Sequence, residues 1–512
     1  MNVRTKEGPP STTKPEGSVS EKFQSFIAGK WTDAETGARY ENRNPADTDD
    51  LIGTFPACGP IDAERAIESA VKGFEAWSRV PAPKRGEVLK RAGDIMTLRK
   101  DELADGMSRE MGKPLTETRG DVQEAIDTAY YAASEGRRLF SHTAPSELRD
   151  KMGFAIRRPA GVFGIITPWN FPIAVPSWKI FPALCCGDAV VWKPAQDTPW
   201  SAVKFVEILL EAGLPPETIQ LVTGFGSEAG APIVSHPKVR GVSFTGSTAV
   251  GQGIAAVCGE MGKPVSLEMG GKNAQLVMDD ANLDLAIEGV LWGAFGTTGQ
   301  RCTATSRLIL HDAIHDEMVD RLVRRAEKLK LGDGRKKGTE VGPLINEDSR
   351  EKVGKYVQIG QDEGARMLTG GGIPTDNGLQ NGWFYKPTIF ADVTPKMRIA
   401  QEEIFGPVLS VIRVKDFDEG IEVMNGVRYG LSSSIYTSDV TRAFRAIERI
   451  EAGITYVNGP TIGAEAHFPF GGVKDTGNGH REGGWPVYDF FSDLKTVYVD
   501  YSGKLQKAQI DV

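Results

Sequence analysis

Apolar and polar positions recur with a helical period through residues 61–79 and 84–111, where Ala, Glu, Lys and Leu dominate, and both stretches are predicted as helices. From Gly161 the pattern changes to short apolar runs. Gly161-Val162-Phe163-Gly164-Ile165-Ile166 and Ala189-Val190-Val191-Trp192 are predicted as buried strands, with a helical stretch at 201–211 after the second. Ile219-Gln220-Leu221-Val222 and Val242-Ser243-Phe244 continue the alternation. Strands separated by helices predict a parallel sheet with right-handed crossovers, whose ligands sit at the carboxyl ends of the strands.

A second alternating section begins near Asp279, with strands expected at Ser306-Arg307-Leu308-Ile309-Leu310 and Val408-Leu409-Ser410-Val411-Ile412. In the helix expected at 313–331, Val319, Leu322, Val323 and Ala326 form an apolar stripe that reads as core packing. The glycine-rich segment 370–378 is expected to be a surface loop. Two strand-like segments, 152–158 and 495–501, lie outside both sections, and an isolated strand exposes edges that must be covered. No internal repeat is visible.

A length of 512 residues suggests roughly three domains. An apolar content of 40% and a charged content of 25% fit a soluble globular chain, and the formal charge of −8 comes with no basic run suited to nucleic acid or an anionic membrane. The first twenty residues hold no apolar signal core and are expected to be disordered. No transmembrane span is apparent. Five cysteines form an odd set, and six histidines show no metal-ligand spacing, so a reduced, cytoplasmic protein without a metal is expected.

Candidate chemistry centres on Cys302, within Phe295-Gly296-Thr297-Thr298-Gly299-Gln300-Arg301-Cys302-Thr303, and on Glu268, within Leu267-Glu268-Met269-Gly270-Gly271. A thiolate can attack a carbonyl carbon, and a carboxylate can then activate water to release the acyl group. Taken singly, a free cysteine is usually a buried hydrophobe and a glutamate a solvated charge; the glycines around both weigh toward chemistry. Cys185, Cys186 and Cys258 lie in apolar runs and read as core, and Cys58 has no neighbour suggesting chemistry. Phe244-Thr245-Gly246-Ser247 leaves a strand and enters a helical run, so its N–H groups and helix dipole suit a pyrophosphate. The run from Gly224 through Gly226 to Gly230 departs from the Gly-x-Gly-x-x-Gly spacing and is a weaker signal, equally well read as a turn. Lys193 ends a strand at the carboxyl edge.

From about Phe26 to Tyr501 the chain resembles the aldehyde dehydrogenase superfamily. Besides the two motifs above, the resemblance rests on Thr167-Pro168-Trp169-Asn170-Phe171-Pro172, Trp192-Lys193-Pro194-Ala195, Phe244-Thr245-Gly246-Ser247, Glu402-Glu403-Ile404-Phe405-Gly406-Pro407 and Pro469-Phe470-Gly471-Gly472. It implies an α/β fold with two Rossmann-like open-sheet domains, cofactor-binding and catalytic, plus a small β oligomerisation domain. The expected division is a tail at 1–20, a dinucleotide-binding domain at 21–142 and 160–278, a catalytic domain at 279–483, and oligomerisation segments at 143–159 and 484–512. A homodimer or homotetramer is implied, with a small aldehyde as partner and neither nucleic acid nor membrane.

The resemblance further implies that Cys302 attacks an aldehyde, that hydride passes to NAD or NADP, and that water activated by Glu268 hydrolyses the thioester. Asn170, which alone might be read as capping a turn, would stabilise the alkoxide together with the Cys302 N–H. Cofactor contacts are expected from Ile166, Thr167, Pro168, Trp169, Lys193, Ala195, Gln196, Gly226, Gly230, Phe244, Gly246, Ser247, Met269, Gly270, Glu403 and Phe405. Where many strictly NAD-dependent members carry a glutamate for the ribose hydroxyls, this chain has Gln196, so NADP should be tolerated; Asp197 beside it leaves the preference open. The acyl-transferring branch shares Gly-Gln-Arg-Cys but typically lacks the base, and Glu268 is present here.

Expected substrate walls are Phe171, Trp178, Arg301, Thr303, Phe470 and the loop 461–468. Succinate-semialdehyde dehydrogenases often carry an arginine where Trp178 stands. Arg301 either replaces that anchor in part or forms an ion pair within the fold. Gly463-Ala464-Glu465 and the run from Tyr429 to Ile435 resemble the antiquitin branch, which oxidises aminoadipate semialdehyde. The ending from Phe468 through Lys474, with Thr476 to Glu482, is similar to microbial α-ketoglutarate-semialdehyde dehydrogenases. A carboxylated semialdehyde such as α-ketoglutarate semialdehyde is the expected substrate.

Overall fold

In the computed structural model, which describes residues 21–376 and 378–510, four predicted apolar runs lie side by side in one sheet. Its order is Val265–Glu268, Val239–Thr245, Val162–Ile166, Ala189–Lys193, Ile219–Leu221, then Ser25–Ile27 and Lys30–Thr32. The first five are mutually parallel, and Ser25–Ile27 joins antiparallel. Strand order reverses between Val162–Ile166 and Val239–Thr245, the switch point at which open α/β sheets bind ligands. Sequence drives this locally. Gly187 takes φ +100° at the end of helix Ala174–Cys186, returns its N–H to Ala183, and lets the chain reverse into the strand that begins at Ala189.

The second sheet runs Arg366–Thr369, Thr388–Ala391, Val408–Val414, Thr305–His311, Asn273–Val277, Ser432–Tyr436, Ile454–Val457, all parallel except the first. Asn273–Val277 pairs with Thr305–His311, so the passage between sheets falls between Glu268 and Asn273 and not at 278/279 as expected. Sheet pairing decides this, since all five residues are buried inside the second sheet. The strand-like segments pair as Lys151–Pro159 with Ser492–Asp500, in nine matched positions, and Thr143–Pro145 completes a three-stranded sheet.

Two helix expectations need correction. The stretch 84–111 is two helices, Ala82–Leu98 and Lys100–Met111, because Arg99 leaves the helical region at φ −102°, ψ 14°. The bend leaves Leu98 exposed and carries Leu103, Ala104 and Met107 into the core. The stretch 313–331 is helical only over His315–Ala326, after a single tight turn at Asp312–Ile314. The tail 1–20 lies outside the described residues.

Candidate active site

Glu268 is the last residue of an edge strand of the first sheet, and Cys302 follows the helix Leu283–Phe295 of the second, so the junction between the sheets brings the two together. Both line one cavity of about 300 Å³. Before Cys302 the chain passes through Thr297 (φ 51°, ψ 28°), Thr298 (φ 57°, ψ 34°) and Gly299 (φ 68°). The left-handed region costs a non-glycine residue about 1–2 kcal/mol. At Gly299 the left-handed φ favours glycine, and a Cβ would stand 2.3 Å from the carbonyl oxygen of Gly406, so the close approach requires it.

Glu268 is buried, and neither of its carboxylate oxygens has a hydrogen-bond partner among the described residues. Gly471 makes room for it: a Cβ there would lie 2.3 Å from Oε1. Burial pushes the Glu268 carboxyl well above the usual carboxylate range, and the neighbouring Glu482 pushes it further. Burial likewise raises the Cys302 thiol, with Glu268, Glu403 and Glu482 adding to the rise. Asn170 donates its side-chain N–H to the carbonyl of Gln300 at 3.0 Å, placing the expected alkoxide donor against the nucleophile's own segment.

The expected cofactor residues follow the carboxyl ends of five adjacent strands. Ile166 ends Val162–Ile166, and Thr167, Pro168 and Trp169 follow it; Lys193 ends Ala189–Lys193, and Ala195 and Gln196 follow; Gly226 and Gly230 follow Ile219–Leu221; Gly246 and Ser247 follow Val239–Thr245; Met269 and Gly270 follow Val265–Glu268. Gly230, Lys193 and Ile166 meet, a Cβ at Gly230 standing 3.2 Å from Lys193 Cδ and 3.9 Å from Ile166 Cδ1. Burial lowers the Lys193 ammonium to about 8, and its Nζ donates to the carbonyl of Gly224 at 3.1 Å. Ser247 is exposed at the start of the thirteen-residue helix Thr248–Glu260, whose first N–H groups receive no side-chain cap. That open N-terminus at the switch point fits a dinucleotide pyrophosphate. Glu403 accepts the Gly271 N–H at 2.9 Å, and Phe405 meets Trp169 edge to face at 5.4 Å.

Two expected contacts turn inward. Thr167 is buried and accepts the Trp192 indole N–H at 2.9 Å. Phe244 is buried under the turn, where a Cβ at Gly246 would stand 2.5 Å from its ring. Both side chains shape the turns and do not face the cavity.

On the other side of Cys302, Phe171, Val175, Trp178, Leu431 and Phe470 form an apolar wall, with the Trp178 and Phe470 rings 4.7 Å apart. Thr303, Gly463 and Ala464 complete it. Arg301 also borders the cavity, but its guanidinium is tied to Glu117 at 2.6 Å and stacked between Phe171 and Trp292. The ion pair within the fold is thus realised, and Arg301 is not the free carboxylate anchor that was one of its two expected roles.

Sequence reasoning missed several residues here. Lys179 pairs with Glu482 beside Glu268, donating also to Ser243 Oγ at 3.0 Å, while Glu482 accepts from Thr245 Oγ1 at 3.2 Å. A lysine, the one charged residue in the run from Ala174 to Cys186, was the available signal. Ser349, Lys352 and Glu124 also line the cavity, and the Lys352 ammonium acts on the Glu403 carboxylate. Glu117 and Asn273, which hold the nucleophile segment, carried no local signal.

The sequence pattern of the Aldehyde dehydrogenase family matches residues 31–497. An alpha-ketoglutarate semialdehyde dehydrogenase of Haloferax volcanii is 42% identical over 94% of this chain and 100% of its own length. An alpha-ketoglutaric semialdehyde dehydrogenase of Bacillus subtilis is 40% identical over 93% of this chain and 98% of its own. Among solved structures, an NAD-dependent aldehyde dehydrogenase from Sinorhizobium meliloti superposes with a TM-score of 0.93 at 36% identity, covering 98% of this chain and 99% of that one. The chain belongs to the aldehyde dehydrogenase family.

Proposed function

We propose that this protein oxidises α-ketoglutarate semialdehyde to α-ketoglutarate with NAD or NADP and releases the product by hydrolysis. The observation that carries the reading is one cavity lined by Cys302 and Glu268 together with Gly246, Ser247 and Glu403 and with Phe171, Trp178 and Phe470. The two semialdehyde dehydrogenases at 40% and 42% identity support the substrate.

Cys302 Sγ bonds to the aldehyde carbon, and the Asn170 amide with the Cys302 N–H stabilises the alkoxide so formed. The thiol proton must leave first, and Glu268, its oxygens unpartnered in the same cavity, is placed to take it. When bound, the dinucleotide supplies the acceptor for the substrate hydride. Once that proton has passed from Glu268 to solvent, the carboxylate removes a proton from water as the water oxygen adds to the thioester carbon; the carbon–sulfur bond breaks and Cys302 departs as thiolate. A base in this position favours hydrolysis over acyl transfer to coenzyme A.

Dual cofactor use rests on Gln196, which is exposed just past Lys193 and carries no charge to repel a 2′-phosphate. Asp197 is turned inward, accepting from Asn346 Nδ2 at 3.0 Å, so its carboxylate is engaged elsewhere. A homodimer or homotetramer would cover Met152, Ile156, Leu494 and Tyr498, which stand exposed on the three-stranded sheet. None of the described helices is long and apolar enough to cross a membrane, and all five cysteines are free, which suits a reduced cytoplasm.

The experiment is a panel of α-ketoglutarate, succinate, glutarate and aminoadipate semialdehydes with either cofactor, followed at the reduced-nicotinamide absorbance. The first should give the highest kcat/KM. A tenfold preference for another, roughly 1.4 kcal/mol, reassigns the substrate, and no turnover with any aldehyde despite cofactor binding means a dinucleotide-binding protein without catalysis.

A further inference from the structure

We propose that Glu117 is a positioning residue for the reacting groups: it clamps both ends of the left-handed turn before Cys302, and through that turn sets the place of the thiol and of the Asn170 amide. This deepens the proposed function and rests on it. Thr297 and Thr298 sit at φ 51° and 57° in succession, a conformation that crowds a β-branched side chain. Such residues persist only where the surroundings hold them.

Glu117 provides that hold. It is buried on helix Leu115–Glu135, and its Oε1 accepts the Thr297 N–H at 3.0 Å. Its Oε2 accepts both the Thr297 hydroxyl and the Arg301 guanidinium, the latter at 2.6 Å. Arg301 Nε closes the triangle on Thr297 Oγ1 at 2.8 Å. The first threonine of the turn and the residue just before Cys302 are therefore tied to one carboxylate. Three donors converge on it, and an amide would turn its own N–H₂ group toward one of them.

The same segment reaches the second reacting group. The Gln300 carbonyl accepts the Asn170 amide at 3.0 Å, and the Gln300 side chain bridges the Thr297 carbonyl and the Ile345 N–H. Helix Leu115–Glu135 packs on Ala82–Leu98 and Ala174–Cys186, so the clamp is anchored among helices of the first sheet while the nucleophile belongs to the second.

The test compares full-length wild type, Glu117→Gln, Thr297→Ala and the double variant Glu117→Gln/Thr297→Gly, by steady-state kinetics and by the rate at which iodoacetamide alkylates Cys302 without cofactor. Glu117→Gln should lower kcat and the alkylation rate by about tenfold, with KM for NAD within about twofold. Thr297→Ala keeps the backbone bond to Glu117 and should lose about threefold in both rates. Thr297→Gly admits the left-handed conformation at the first position of the turn unaided, so the double variant should recover to within about threefold of wild type. Should Glu117→Gln fail to fold, Thr297→Ala carries the test. Wild-type rates in either single variant, a loss confined to melting temperature, or no recovery in the double variant overturns the proposal. Alkylation needs no aldehyde, so an enzyme that alkylates as expected but oxidises no semialdehyde defeats the proposed function and leaves the clamp standing.

Discussion

Asn273 holds the candidate nucleophile by its main chain: its Nδ2 donates to the Cys302 carbonyl at 2.7 Å and to the Ala304 carbonyl at 3.0 Å, while its Oδ1 accepts the Ser432 N–H at 3.0 Å. Gly271 leaves room for that carbonyl, since a Cβ there would stand 2.6 Å from it. Replacing Asn273 with Ala strands three backbone groups at once. The expected loss is about 1–3 kcal/mol for each group that stays dry, with a fall in kcat as the Cys302 segment loosens. Denaturant midpoints and steady-state kinetics check this; a wild-type midpoint and kcat would mean that the Asn273 bonds hold nothing.

The thiol environment sets a pH dependence. Burial and three nearby carboxyl groups raise the Cys302 pKa, so the thiolate fraction, and with it the rate of alkylation by iodoacetamide, grows as pH rises. Without cofactor the rate should still be climbing above pH of about 8.5, the ordinary thiol value. A plateau at or below that value would show that neither burial nor the carboxyl groups raise the thiol.

Gln196 gives a cofactor prediction. Gln196→Glu should lower the NADP-to-NAD ratio of kcat/KM by about tenfold, equivalent to roughly 1.4 kcal/mol and modest for an exposed charge near a 2′-phosphate. Initial rates with both cofactors decide it. An unchanged ratio places residue 196 away from the ribose and removes the support for dual use.

What could be read in the sequence was local. Cys302 and Glu268 stood out because glycines flank both, and the buried strands 162–166 and 189–193 because their apolar runs are short and bounded by turns. Partners distant along the chain left no such trace: Lys179 and Glu482 pair across 303 residues, and Glu117 meets Thr297 across 180. Nothing local marks Gly270-Gly271 as the crossing between sheets, so the sequence alone places the strand Asn273–Val277 with the first domain. The sequence neighbours of Arg301 cannot reveal Glu117, whose carboxylate decides between the two roles open to that guanidinium.

The two chemical steps should separate on mutation. Cys302→Ala removes the nucleophile and should abolish oxidation, whereas Glu268→Gln removes the base and should leave a burst of reduced cofactor followed by a slow steady state. Full steady-state activity in Glu268→Gln would assign the base elsewhere, and marked acceleration by coenzyme A would revive acyl transfer.

The most direct measurement is intact-protein and peptide mass spectrometry of Glu268→Gln quenched after mixing with α-ketoglutarate semialdehyde and NAD. A thioester mechanism at Cys302 requires an acyl adduct of that substrate on Cys302, absent without NAD and absent from Cys302→Ala. An adduct on another residue, or a burst of reduced cofactor with Cys302 unmodified, would contradict it.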